Sequence, residues 1–176
     1  VMQVEAQRAV AQAVAGLPEP YRTTVLLRYI EELAIRDVAG RMGVPVKVIQ
    51  VDKSLGLDVE AMKTAAQGAG LVFFCNPNNP TGTAHSAATV EKFIRDLAAS
   101  SPGTKILVDE AYIDYVHDPS VKTMAALAKE LPSVIVARSF SKAHGMAGLR
   151  LGYGIGRPET MRAVSSAWGE RTVSLR

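Results

Sequence analysis

Three short stretches of this chain hold side chains that could do chemistry together. They are Asn76-Pro77-Asn78-Asn79-Pro80-Thr81-Gly82, then Asp109-Glu110-Ala111-Tyr112, then Ser139-Phe140-Ser141-Lys142, with Arg150 eight residues beyond the lysine. A lysine amine condenses with an aldehyde when it can shed its proton, which burial and neighbouring cations favour. A guanidinium suits bidentate phosphate binding, and serine hydroxyls can donate to the same anion. With an Asn, an Asp and a Tyr added, the set can hold a phosphorylated aromatic aldehyde and bond to it covalently.

Each stretch sits where an apolar run ends. Leu71-Val72-Phe73-Phe74-Cys75 leads into the first, Lys105-Ile106-Leu107-Val108 into the second and Ser133-Val134-Ile135-Val136-Ala137 into the third. Continuous apolar runs bounded by turn residues read as strands buried on both faces of a parallel sheet. Ligands bind at the carboxyl ends of such strands, so the seven groups should converge on one crevice. The remaining pattern gives strands at 46–51, 71–75, 106–109, 134–139 and 150–155. Helices alternate with them at 58–66, 86–99, 120–131 and from Pro158 to about 167. Asp58 suits a helix N-terminus, and Val90, Phe93, Ile94 and Leu97 share one helical face. This βαβ series predicts an α/β fold with right-handed crossovers and helices on both faces of the sheet.

On these residues, positions 44–168 resemble the large domain of fold-type I pyridoxal-phosphate aminotransferases of class I/II, and among them the histidinol-phosphate aminotransferase branch. The resemblance implies a partial parallel-type αβα sandwich and pyridoxal 5'-phosphate as cofactor. It also implies amino-group transfer on a small amino-acid or amino-phosphate substrate, as in histidine biosynthesis, and a dimer. It makes Lys142 the Schiff-base lysine, which moves a proton between the substrate α-carbon and the cofactor. Asp109 would pair with the pyridinium nitrogen and keep the ring an electron sink. Tyr112 and Asn79 would reach the cofactor's phenolic oxygen. Ser139, Ser141 and Arg150 would hold its phosphate. An Asp at a strand end can also be a simple cap, and Asn-Pro pairs favour turns unaided. A cap explains Asp109 but not Tyr112 three residues later, and the ordered set favours the cofactor reading. His144 reads as packed or solvated, and His85 and His117 lie in loop positions without metal-ligand spacing.

The first part of the chain differs in kind. Residues 4–15 are Ala-rich, and Leu17-Pro18-Glu19-Pro20 is a helix start signal. Tyr21, Val25, Leu26, Tyr29, Ile30 and Leu33 repeat at helical spacing, and 35–42 reads as a short helix ended by Gly43. Residues 1–46 resemble region 4 of bacterial sigma-70 factors, which reads promoter DNA with a helix-turn-helix. Where that family continues into its recognition helix, this chain gives Lys47-Val48-Ile49-Gln50-Val51-Asp52, a strand and loop. The expected division is an all-α head at 1–45, a partial large domain at 46–169 and an unpatterned tail at 170–176. One alternative to the enzyme is a transcription module that binds DNA weakly through phosphates alone; another is a non-functional chimera joined near Val44. The chain opens on Val1 and reads as a fragment, a processed product or an excised piece. Against the family the glycine-containing phosphate turn, the ring-stacking aromatic residue and the small C-terminal domain are expected to be missing from this stretch. Weak or absent activity alone is therefore expected, and uncovered strand edges and apolar patches predict self-association.

Composition narrows the classes further. The net charge of +3 is spread along the chain with no Lys/Arg block, so composition does not argue for nucleic acid. The single Cys75 excludes an internal disulfide framework and reads as a small buried hydrophobe. No 18-residue apolar run and no basic-then-apolar N-terminus occur, so no transmembrane helix or secretory signal is expected and the location reads as cytoplasmic.

Overall fold

The computed structural model describes residues 35–149 and 151–168. The chain divides into two compact units between Val48 and Ile49. Within the first, α1 (Ile35–Arg41) ends on Gly43, which takes φ +68°. The Val44 N–H donates to Ala39 O at 2.9 Å and the Gly43 N–H to Gly40 O at 3.2 Å. That bond pair is the Schellman close of a helix, and its left-handed residue favours glycine. The other helices expected in the sigma-like head fall in residues 1–34, outside the described residues.

The strand expected at 46–51 does not form. Residues 44–50 carry no regular structure, and Val51 makes only an isolated antiparallel bridge to Leu57. The run has β-branched residues, but among the described residues it joins no strand of the sheet, and propensity alone does not make a strand. The bridge closes a loop organised by Asp52, whose Oδ1 accepts from Ser54 N–H at 2.7 Å and Gly56 N–H at 3.0 Å. Helix α2 (Val59–Ala65) follows, with Asp58 as its cap; the carboxylate accepts the Ala61 N–H at 2.9 Å.

The sheet holds β1 (Leu71–Cys75), β2 (Lys105–Asp109), β3 (Val134–Ser139) and β4 (Gly152–Ile155), in that spatial order. The first three are parallel and β4 runs antiparallel to β3. The fold is α/β as expected, but the sheet is mixed: among the described residues no crossover helix lies between β3 and β4, and the two strands pair antiparallel. Helix α3 (Ala87–Ser100) joins β1 to β2, and α4 (Ala125–Glu130) joins β2 to β3. Helix α5 (Pro158–Trp168) follows β4. The expected helix at 120–131 shortens to α4 because side chains hold the preceding segment: Asp118 accepts the Ser120 N–H at 2.8 Å, and Glu110 reaches the Met124 N–H.

The expected burial on both faces fails at β1. Val72, Phe74, Ile106, Val108, Val134 and Val136 form one core with Val90, Phe93, Ile94 and Leu97 of α3 and Leu127 and Ala128 of α4. The alternate residues face away from it: Leu71 is 59% and Phe73 55% exposed. Strands that follow one another side by side, each joined by a right-handed crossover, put successive crossover helices on the same face. On the other side of the sheet, Met161 of α5 lies where a side chain at Gly154 would project, opposite to Ile155.

Candidate active site

The carboxyl ends of β1, β2 and β3 are level. Cys75 stands beside Asp109 and Asp109 beside Ala137 in the parallel register. Two further backbone bonds carry the ladder one residue past the strands: Asn76 N–H to Asp109 O and Glu110 N–H to Ala137 O, each 2.9 Å. The loop after β1 is fastened from within. Asn76 is 3% exposed, donates to His85 O at 3.1 Å and accepts the His85 N–H at 2.8 Å. Asn78 donates to Thr81 Oγ1 at 2.7 Å and accepts at its carbonyl from Gly82 N–H at 2.8 Å. A loop closed by its own side chains keeps a fixed shape, and that shape carries Asn79 toward β2.

Tyr112 opens the 3-10 turn Ile113–Tyr115 just beyond β2. Asn79 Nδ2 donates to its hydroxyl at 3.2 Å. Lys142 Nζ lies 5.1 Å from the centroid of the Tyr112 ring, within reach of a cation–π attraction when protonated. One residue from each of the three motifs therefore meets at Tyr112. Lys142 sits exposed in a loop shaped by backbone bonds from Gly145 N–H to Lys142 O (2.9 Å) and Met146 N–H to Phe140 O (3.0 Å). Ser139 Oγ accepts the Ser141 N–H at 3.0 Å, so the two serines occupy one turn. Asp109 is half-buried at the end of the middle strand, and its Oδ1 accepts the Ala111 N–H at 2.9 Å. It does cap its own turn, as the plainer sequence reading allowed. Arg150 lies outside the described residues.

Cys75 shows how near these groups are. Its half-buried thiol donates to Pro77 O at 3.3 Å. Burial pushes the thiol pKa up, the Asn79 N–H pulls it back, and the Asp109 carboxylate adds to the rise. Asp109 and Asn79 thus bear on the same sulfur. His144 is exposed and meets the Phe140 ring edge-on at 5.2 Å, while His85 hydrogen-bonds the Leu57 carbonyl at 3.0 Å.

Sequence reasoning gave no role to Asn76, Glu110 or Arg138. Glu110 is 2% exposed, and Arg138 pairs with it at 3.0 Å. The available signal was alternation: Glu110 falls two residues after Val108 and four after Ile106, both core-facing, so its side chain had to turn inward.

The chain is 41% identical over 135 residues to the histidinol-phosphate aminotransferase of Symbiobacterium thermophilum, covering 76% of this chain and 36% of that protein. It is 40% identical over 125 residues to the aromatic amino acid aminotransferase of Mycobacteroides abscessus, covering 70% of this chain and 34% of that one. The solved histidinol-phosphate aminotransferase of Sinorhizobium meliloti, in complex with pyridoxal-5'-phosphate, matches with a TM-score of 0.64 at 30% identity. That match covers 73% of this chain and 34% of the solved one. The chain spans about a third of the length of these relatives. Residues 34–170 match the family model for aminotransferase class I and II, starting inside the stretch where the sequence resembled a sigma factor. With the three motifs at the ends of three adjacent strands and a family match across most of its length, the chain belongs to aminotransferase class I and II.

Proposed function

We propose that this chain carries the covalent and ring-tuning part of an amino-transfer site, binding pyridoxal 5'-phosphate through Lys142. The observation that carries the reading is the meeting of Asn79, Tyr112 and Lys142, one from each motif. The donor set suits the group. Lys142 supplies the amine that condenses with its aldehyde. Tyr112 and Asn79 supply a hydroxyl and an amide for its phenolic oxygen. Asp109 supplies a carboxylate for the ring nitrogen, and Ser139, Ser141 and Arg150 supply donors for its phosphate. When bound, the cofactor provides an electron sink for a substrate amine. Lys142 is then the group that holds and returns the proton at the substrate α-carbon. The histidinol-phosphate branch supplies the substrate class, a small amino-phosphate. The domain division at 1–45, 46–169 and 170–176 belongs to the same reading.

Addition of pyridoxal 5'-phosphate to the protein should produce a saturable visible band distinct from that of the free cofactor. Turnover is a separate question. The reaction needs the substrate held as well as the cofactor, and remote contacts supply much of catalysis. Arg138, beside the site on β3, is already committed to Glu110 and Asp114. Loss of the visible band on adding histidinol phosphate, aspartate or glutamate is therefore expected at about the rate of free cofactor. Rapid loss with histidinol phosphate alone would show that this chain holds its own substrate pocket. Absence of any saturable band would overturn the reading of the site.

Self-association belongs to the same proposal. The exposed Leu71 and Phe73 on the open face of the sheet favour association through apolar burial. Sedimentation over a rising concentration series should show mass above that of the 18.8 kDa monomer. A single monomeric species throughout would contradict it. Among the described residues no helix is long and apolar enough to cross a membrane.

A further inference from the structure

The helix-covered face of the sheet holds a carboxylate where the core pattern calls for an apolar side chain. Glu110 continues the inward series of Ile106 and Val108 and is 2% exposed. A buried carboxylate persists only where it is paired and hydrogen-bonded. Here Oε1 accepts the Met124 N–H at 2.6 Å, and Oε2 accepts the Thr123 hydroxyl at 2.7 Å. Oε2 also takes Nε of Arg138 at 3.1 Å and Nη2 at 3.0 Å. The Arg138 guanidinium extends toward Asp114, with Nη1 3.9 Å from the carboxylate. One side chain thus joins the ends of β2 and β3 to the approach of α4.

Successive residues on a strand point to opposite faces. Asp109, just before Glu110, and Ser139, just after Arg138, therefore stand on the open face. Fixing Glu110 and Arg138 on the covered face fixes the roll of both strand ends. For packing alone, apolar residues of similar volume serve as well as a buried ion pair. A pair locked by directional bonds does something packing does not: it sets orientation.

We propose that Glu110, acting through Arg138, is a positioning residue that sets the direction of Asp109 and the start of the Ser139–Lys142 turn. The proposal rests on the reading of that site as a pyridoxal-phosphate site. Two variants of the full chain test it. Glu110→Gln keeps an acceptor for the Met124 N–H but weakens the grip on Arg138. Glu110→Gln/Arg138→Met also removes the cation, together with its contacts to Asp114 and Tyr153, so no buried charge is left without its Glu110 partner while the clamp between β2 and β3 is lost.

Three readouts apply: the Kd for pyridoxal 5'-phosphate, the pH midpoint of its visible band, and amide hydrogen exchange at Ala111 and Ser141. Those two N–H groups donate to Asp109 Oδ1 and Ser139 Oγ in the native protein. The double variant is expected to keep its far-ultraviolet dichroism and the exchange rates of the core amides. Its Kd should rise about 10- to 100-fold, as misplacement of site groups does elsewhere. The band's pH midpoint should move, and exchange at Ala111 and Ser141 should quicken about tenfold. A folded double variant with native Kd, midpoint and exchange overturns the proposal. Unfolding of both variants also overturns it, because Glu110 would then serve the fold and not the site. If the native chain forms no Lys142-dependent band, the functional reading fails by itself, and the exchange at Ala111 and Ser141 still decides what Glu110 does.

Discussion

Replacing Lys142 with alanine is expected to abolish specific covalent capture of pyridoxal phosphate, from about one equivalent per chain to background. The amine sits beside the Tyr112 ring, whose hydroxyl takes the Asn79 amide, and these are the contacts that distinguish it from other lysines. Surface lysines also react with an aldehyde, but without such neighbours, so they need excess cofactor. The substitution should leave the fold intact, because Lys142 is exposed and its loop is shaped by backbone bonds from Gly145 and Met146. Borohydride reduction at equimolar cofactor, followed by mass spectrometry of peptides, reads the site and stoichiometry directly. The same adduct at the same stoichiometry in Lys142→Ala would assign the capture to surface lysines and sink the site assignment.

The placement of the candidate site was legible in the sequence to the extent that it is local. Each motif follows an apolar run, and the structure places all three at the ends of β1, β2 and β3. The contacts that join them are not local. The bond from Asn79 to Tyr112 spans 33 positions, and that from Arg138 to Glu110 spans 28. No spacing rule reveals either. Glu110 passed unremarked for a related reason: one acid after a strand reads as a surface residue until the inward register is followed through it. The misread strand at 46–51 and the overlong helix at 120–131 have a common cause. Propensity gave each a type, but pairing decided the outcome: among the described residues, 44–50 join no strand of the sheet, and the approach to α4 is held by Asp118 and Glu110. The helix starts were legible at Asp58, placed near an N-terminus, and within a residue at Ser86, because an Asp or Ser before a helix bonds the helix's own first turn. Asp58 and Ser86 both do so. How far the second face is covered was not readable: α5 lies over it near β4, and β1 is left exposed there. Leu71, Phe73, Leu107 and Ile135 are as apolar as the residues between them, and composition does not tell which face the helices take.

Two neighbouring phenylalanines turn that point into a measurement. Phe74 is fully buried, with Phe93 of α3 at 5.2 Å between ring centroids and His85 at 6.1 Å. Truncating a buried phenylalanine removes its transfer energy and leaves a cavity, a cost of about 3–5 kcal/mol. Small domains are stable by only about 5–15 kcal/mol, so Phe74→Ala should remove most of the margin or unfold the second unit outright. Phe73 is next in sequence and equally apolar, yet it is 55% exposed on the open face. Its side chain leaves little buried volume to lose, so Phe73→Ala should cost less than about 1 kcal/mol. The same substitution should weaken self-association, which Phe74→Ala would not do selectively. Urea denaturation of both variants at low concentration separates the fold term, and sedimentation separates the association term. Comparable losses of stability at the two positions would mean that both faces of β1 are covered in solution. The sequence expectation of a doubly buried strand would then hold, and the open face would already have an occupant.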